Sequence, residues 1–349
     1  MKPKYVTNIK LVLFLRFLCG YYYEMEIPRR LKTVAKAYCI FFLLFYLILH
    51  HLYCSFSNHT AKWSLYLEYS IYVFMSLYSK KMYLMDYYTS SRIIDFEPHS
   101  RIYKKLNIYL AILIPFLVVL KIVNMVTFCL SKSFNCWSWV SLLHNLLWNF
   151  TVLGRIPPVF VFALLFCRAR IIRRTLEDFG IDHGQTGKYS TKKFIQMYET
   201  LVDGFKKTEH PSKQLLTVFL LCSTPKLILE TFLMLNKIKE SGPIVEKLAV
   251  YAIETFYTHL FFVVSSILFD LINVDLQRIK ILIVEKRMKT KNLKHRNEVE
   301  KLFQFVQSQT IECTLWRVLS LNVRNILSFV SFAVTTIIAV LQIKNNNIY

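Results

Sequence analysis

Seven stretches of this chain are apolar over close to the twenty or so residues that a helix needs to cross a hydrocarbon core of about 30 Å. They run over 36–53, 63–85, 106–130, 137–166, 213–235, 247–271 and 318–343. The third is the cleanest, interrupted by Lys121 alone, whereas the second is free of charge only between Glu68 and Lys80. The fourth is long enough to overshoot a bilayer, which carries Arg168, Arg170, Arg173 and Arg174 into the aqueous phase. Gly154, Pro157 and Pro158 within it predict a kink. Beyond the apolar runs the pattern turns amphipathic. Residues 168–179 and 192–207 read as mixed-charge helices around a turn-rich stretch at 180–187. From Asn297 onward, Val299, Leu302, Phe303 and Val306 share one face opposite Glu298, Lys301, Gln304 and Gln307. These helices are expected to continue spans four to seven below the membrane and to pack together.

Composition turns this pattern into a class. A chain of 349 residues has room for two soluble domains, but 54% hydrophobic content and only seven glycines point to an all-α membrane protein instead. The net charge of +22 raises nucleic acid as a partner, yet the basic residues fall in blocks between apolar runs with no nucleic-acid-binding signature among them. The charge therefore reports topology. Thirty Lys and Arg lie in the segments on one side of the predicted spans and five on the other, which places the amino terminus in the cytosol and, with seven spans, the carboxyl terminus outside. The sequon Asn58-His59-Thr60 then falls in an outer loop, where Asn58 is a candidate for glycosylation, while Asn149-Phe150-Thr151 lies within a span. Trp63, Trp137 and Trp139 sit at predicted outer span ends, as interfacial indoles should. The eight cysteines show neither CxxC pairs nor Cys/His metal spacing and read as free thiols; only Cys129 and Cys136, flanking a short loop, are placed to pair. Residues 11–18 are too short, too interrupted by Arg16 and too closely followed by bulky tyrosines to be a cleaved leader. The expected organisation is a cytoplasmic segment at 1–35, six spans with an outer cavity over 36–271 including a cytosolic loop at 167–212, a cytosolic loop and anchor helix at 272–317, and a last helix with a short outer tail at 318–349.

The last span carries the most specific letters. It closes with Thr335, Thr336, five aliphatic residues, Gln342 and Ile343. An amide so deep in an apolar helix is costly unless it meets water or protein. This ending resembles the signature of insect gustatory receptors, Thr-Tyr, five hydrophobic residues and Gln-Phe. Thr335 and Gln342 match in register, while Thr336 replaces the tyrosine and Ile343 the phenylalanine. The lead-in from Ser320 to Phe332 is similar as well, so the resemblance covers the whole chain in layout and about the last thirty residues in letters. It implies a tetrameric, ligand-gated, non-selective cation channel in the plasma membrane of sensory neurons, as a homomer or with related subunits, whose four last helices surround the pore. Sugar-sensing members usually carry Glu where Ile337 stands, which turns the expectation toward a bitter or other contact tastant. A ring of four Gln342 amides would replace part of a cation's hydration shell, Ile343 would close the path by dewetting, and Ala339 and Thr335, three and seven residues earlier on the same face, would line the lumen. The alternative for Gln342 is simple contact with interfacial water, and for Thr335 a packing hydroxyl. Arg324, at the inner end of the span, reads as snorkelling to lipid phosphates.

Polar groups also gather in the outer halves of spans two to six: Glu68, Tyr72, Asn124, His144, Trp148, Glu230, Tyr251, Glu254 and Tyr257. Ionisable residues inside a membrane rarely face lipid. Glu254 with Tyr251 and Tyr257 forms one helical face suited to an amphipathic or cationic small molecule, whereas Glu230, one turn from Lys226, has a structural ion pair as its alternative. No cofactor or metal is expected, and without HExxH, GxSxG or a Walker loop an enzyme is not indicated. The orientation is opposite to that of G-protein-coupled receptors, and neither Asp-Arg-Tyr after span three nor Asn-Pro-x-x-Tyr in span seven is present. Two other readings stay open: an olfactory-type subunit of the same superfamily, and a secondary transporter coupling through Glu230, Glu254 and Lys226.

Overall fold

The computed structural model describes residues 9–24, 28–53, 59–78, 83–90, 139–178, 191–238, 244–290, 292–315 and 319–346, with Ile94 and scattered positions between 102 and 126. In chain order the helices are α1 (Ile9–Leu18), α2 (Arg29–Tyr53), α3 (His59–Tyr78), α4 (Tyr83–Ser90), α5 (Trp139–Glu177), α6 (Thr191–Ile238), α7 (Ile244–Lys289), α8 (Leu293–Ser308) and α9 (Val323–Asn346). Among the described residues three helices are long and apolar enough to cross a membrane, within Arg29–Leu52, Leu146–Glu177 and Thr255–Lys289, and a shorter apolar helix covers Val323–Thr336.

Helix lengths follow the sequence signals. α1 stops at Gly20, whose φ of 85° suits a residue without a Cβ. The Tyr21 amide reaches back to the Arg16 carbonyl and the Gly20 amide to that of Phe17, so a Schellman turn satisfies the last carbonyls. α2 is amphipathic for lipid: Phe41, Leu44, Phe45, Ile48 and Leu52 are exposed, while Cys39, Leu43, Tyr46 and His50 face the bundle. Between 102 and 126 the described residues are helical, and Ile108, Ile112, Val119, Ile122 and Val126 form another exposed apolar stripe. α5 runs unbroken through Pro157 and Pro158, and α6 through Pro211 and Pro225. α7 has neither glycine nor proline over its 46 residues.

The stretch 63–85 is helical as α3 up to Tyr78 and again as α4 from Tyr83, and residues 79–82 lie outside the described residues. One expectation needs correction. The anchor helix α8 does not run on into the last helix. Between them β1 (Thr314–Leu315) pairs antiparallel with β2 (Leu319–Ser320). The periodicity that marks α8 stops at Ser308, where the Gln309 amide caps onto the Phe305 carbonyl in extended backbone. By contrast the expected continuations of spans four to six are present as single long helices, and α5 packs most extensively on α7, then on α6.

The interior divides into two main clusters. One is largely aliphatic and joins Leu164, Leu165, Ile171 and Ile172 of α5 to Met197 and Leu201 of α6, Ile272 and Ile279 of α7 and Leu302 and Val306 of α8. The other is rich in tyrosine and holds Tyr21, Tyr46, Tyr66, Tyr69, Tyr72, Trp148 and Tyr257. Gly154 lets the second close: a Cβ there would meet Tyr72 Cδ2 at 2.5 Å and the Tyr21 hydroxyl at 2.8 Å.

Candidate functional site

The tyrosine-rich cluster is organised around one arginine. Arg155, on α5, donates from Nε and Nη2 to the two carboxylate oxygens of Glu68 on α3, each at 2.7 Å. Its Nη1 donates to the Thr258 carbonyl on α7 at 2.9 Å, and its Cζ lies 4.7 Å from the centre of the Phe219 ring on α6. Only 5% of the Arg155 side chain and 3% of that of Glu68 remain exposed, so both charges are buried and matched fork to fork. A single guanidinium thus ties four helices. The Tyr72 hydroxyl, one turn from Glu68, donates to the Leu215 carbonyl at 3.4 Å.

Beside this pair the Trp148 indole stacks on Tyr257, with ring centres 5.6 Å apart and planes 26° from parallel. Lys226, buried on α6, places its ammonium 4.0 Å from the centre of the Trp148 ring. The Tyr257 hydroxyl donates to Asn149 Oδ1 at 3.3 Å. Asn149 and Thr151 of the second sequon therefore lie in the packed helix α5, with the Thr151 hydroxyl bonded to the Leu147 carbonyl at 3.0 Å. Three polar atoms in this region, the Ser223 hydroxyl on α6 and Thr255 Oγ1 and His259 Nε2 on α7, are buried without a hydrogen-bond partner.

The predicted ligand residues thus divide. Glu68, Tyr72, Trp148 and Tyr257 are buried together around Arg155, whereas the side chains of His144, Glu230, Tyr251 and Glu254, and residues Asn58, Asn124, Cys129 and Cys136, lie outside the described residues. Sequence reading missed Arg155 itself. The rule that intramembrane charges face inward, applied to the glutamates, marks this arginine equally.

On α9, Thr335, Ala339 and Gln342 are all exposed, as is Ile338; the Ile343 side chain lies outside the described residues. The Thr335 and Thr336 hydroxyls bond back to the Ser331 and Phe332 carbonyls at 2.9 and 2.8 Å. Arg324 is exposed. Facing the bundle, Phe329 meets His259 and Phe262 of α7 at ring-centre distances of 6.1 and 6.3 Å.

Ion pairs also fasten the aliphatic cluster. Asp275 of α7 accepts from Arg173 Nη1 at 2.7 Å with Arg170 Nε 3.6 Å away, both on α5. Arg168, fully buried, donates to the Tyr87 and Tyr88 carbonyls at 2.9 and 3.1 Å and so binds α4 to α5. Burial raises the Cys313 thiol to about 12, which keeps this hairpin cysteine neutral and unreactive.

Compared with solved structures, 96% of the chain matches 97% of the insect olfactory receptor OR5 from Machilis hrabei, at a TM-score of 0.66 and 10% sequence identity. The chain has the fold of an insect olfactory receptor. The same receptor solved in complex with eugenol matches over the same shares, at a TM-score of 0.64 and 10% identity. No protein family matches the sequence, and no curated protein does. Among the described residues the fold is all-α apart from one short strand pair, and three helices are long and apolar enough to cross a membrane.

Proposed function

We propose that this chain is a gustatory chemoreceptor, a subunit of a tetrameric, ligand-gated, non-selective cation channel in the plasma membrane of sensory neurons. The observation that carries the reading is the exposed polar face of α9. Thr335, Ala339 and Gln342 recur at helical spacing on a helix that the single chain leaves uncovered, within a fold shared with an insect olfactory receptor. A last helix bearing an amide and hydroxyls toward its own copies supplies what a cation needs on its way through. The terminal Thr335 to Ile343 pattern supports the gustatory branch.

The stimulus would bind among Glu68, Tyr72, Trp148 and Tyr257 together with His144, Glu230, Tyr251 and Glu254. One contact supports a narrower ligand class. Lys226 already supplies a cation to the face of Trp148, so a neutral amphipath with an aromatic ring and a hydroxyl fits this wall better than a cationic one. Ser223, Thr255 and His259 offer it unused hydrogen-bonding capacity. Binding opens the pore only as far as it prefers the arrangement in which the last helices stand apart.

Expression in oocytes under voltage clamp tests the proposal, with eugenol as the neutral probe and quinine as the cationic one. Stimulus-evoked currents reversing near 0 mV are expected, larger for eugenol. Electroneutral uptake without a conductance would favour a transporter instead. The fold match to OR5 favours one other reading, an olfactory-type subunit, which would conduct only when expressed with a partner subunit.

A further inference from the structure

We infer that Asp270 is the joint through which α7 moves the last helix, so that its carboxylate positions the pore rather than the ligand. The inference rests on the channel reading and names how its two ends are coupled. Asn322 caps α9 in the ordinary way, its side chain accepting from the Asn325 amide at 2.8 Å. Val323 is therefore the first helical residue, and its amide points out of the helix with no partner in it. That amide donates to Asp270 Oδ2 of α7 at 2.7 Å. A carboxylate from a different helix thus completes the cap, held by a charge-assisted hydrogen bond and by the positive end of the helix dipole.

Three features make this contact a coupler and not only a cap. The helix that supplies Asp270 also supplies Tyr257 and the Thr258 carbonyl to the buried site, thirteen and twelve residues earlier, about 20 Å along its axis. No glycine or proline interrupts α7 between them, so a displacement at one end is carried to the other. The second contact of α7 with α9, through His259 and Phe262 against Phe329, lies between the two and involves rings that can slide, whereas Asp270 grips a backbone amide. On the other side, the hairpin holds the same end of α9: Asn325 Nδ2 donates to the Ser320 carbonyl at 2.5 Å and the Leu321 amide to the Cys313 carbonyl at 2.9 Å. The start of α9 is thereby pinned between a moving rod and a fixed loop, which suits a pivot.

Two substitutions separate coupling from folding. Asp270→Ala removes the acceptor. Val323→Pro removes the donor while placing proline at the first helical position, where its fixed φ and missing amide are well tolerated. At wild-type surface density, both are expected to cut the ratio of eugenol-evoked to basal current about tenfold or more, with single-channel conductance and sodium-to-potassium permeability unchanged. The double variant should be no worse than either single one. Asp270→Asn, which keeps an acceptor, should fall between. A wild-type current ratio in either Asp270→Ala or Val323→Pro overturns the inference, as does a loss confined to Asp270→Ala. If the unmodified protein carries no evoked current, the channel reading fails and hydrogen exchange decides the joint. Exchange of the first-turn amides of α9 about tenfold faster in Asp270→Ala supports it, and unchanged exchange overturns it.

Discussion

The tyrosine-rich cluster and the aliphatic cluster share α5, α6 and α7 and are held together by different means. In the first, hydroxyls reach across to backbone carbonyls of other elements: Tyr21 to Phe150 at 2.7 Å, Tyr69 to Cys19 at 2.7 Å and Tyr72 to Leu215 at 3.4 Å. In the second, Leu165, Ile171 and Met197 are fully buried with no hydrogen bond to make, and the polar fastening comes from charged groups, Arg168 and the pair of Arg173 with buried Asp275. Each tyrosine joint is worth about 1 kcal/mol and can be remade one helical step away, whereas an aliphatic core is close-packed and resists displacement. The difference assigns motion to the tyrosine-rich half and anchorage to the aliphatic half. Arg155 is the exception in the mobile half, a fixed point about which its four helices are arranged.

That contrast can be broken in graded ways. The largest loss is expected from Arg155→Met, which leaves the Glu68 charge buried without its partner and should cost about 3–5 kcal/mol, seen as a lowered unfolding temperature of the purified protein and reduced surface delivery. Adding Glu68→Gln to it should recover part of the loss, because the stranded charge is then gone. In the aliphatic cluster Leu165→Ala should cost about 3 kcal/mol in unfolding while leaving the response to stimulus unaltered once the protein reaches the surface. Tyr21→Phe is expected to be the mildest in stability, about 1 kcal/mol. Its signature should instead be a shift in the stimulus concentration for half-maximal current. Equal effects of Leu165→Ala and Tyr21→Phe on that concentration would erase the distinction between the two halves.

Much of the fold was legible because lipid imposes strict patterns. Exposed apolar stripes, blocks of basic residues and the amphipathic period of α8 are all local properties of the chain, and α2, α5, α6, α7 and α8 follow from them. The hairpin at 314–320 was not legible, because two-residue strands are too short to show alternation. For the site, aromatic and acidic positions drew attention by type, and four of them do meet. What gathers them is Arg155, eighty-seven residues from its carboxylate partner, and long-range pairing of that kind is set by packing rather than by spacing. Asp270 was hidden for the same reason, being one more charge at the end of a span until the amide it holds is seen.

The central claim is that α9 lines a cation pathway, and Gln342 tests it most directly. Currents through Gln342→Ala and Gln342→Lys channels should be compared with the unmodified protein at matched surface density. The account predicts that alanine changes the relative permeability of sodium, potassium and calcium and that lysine blocks cation current, with delivery to the surface unaffected in both. Permeability ratios identical to the unmodified protein in both variants would place Gln342 outside the conduction path and contradict the account.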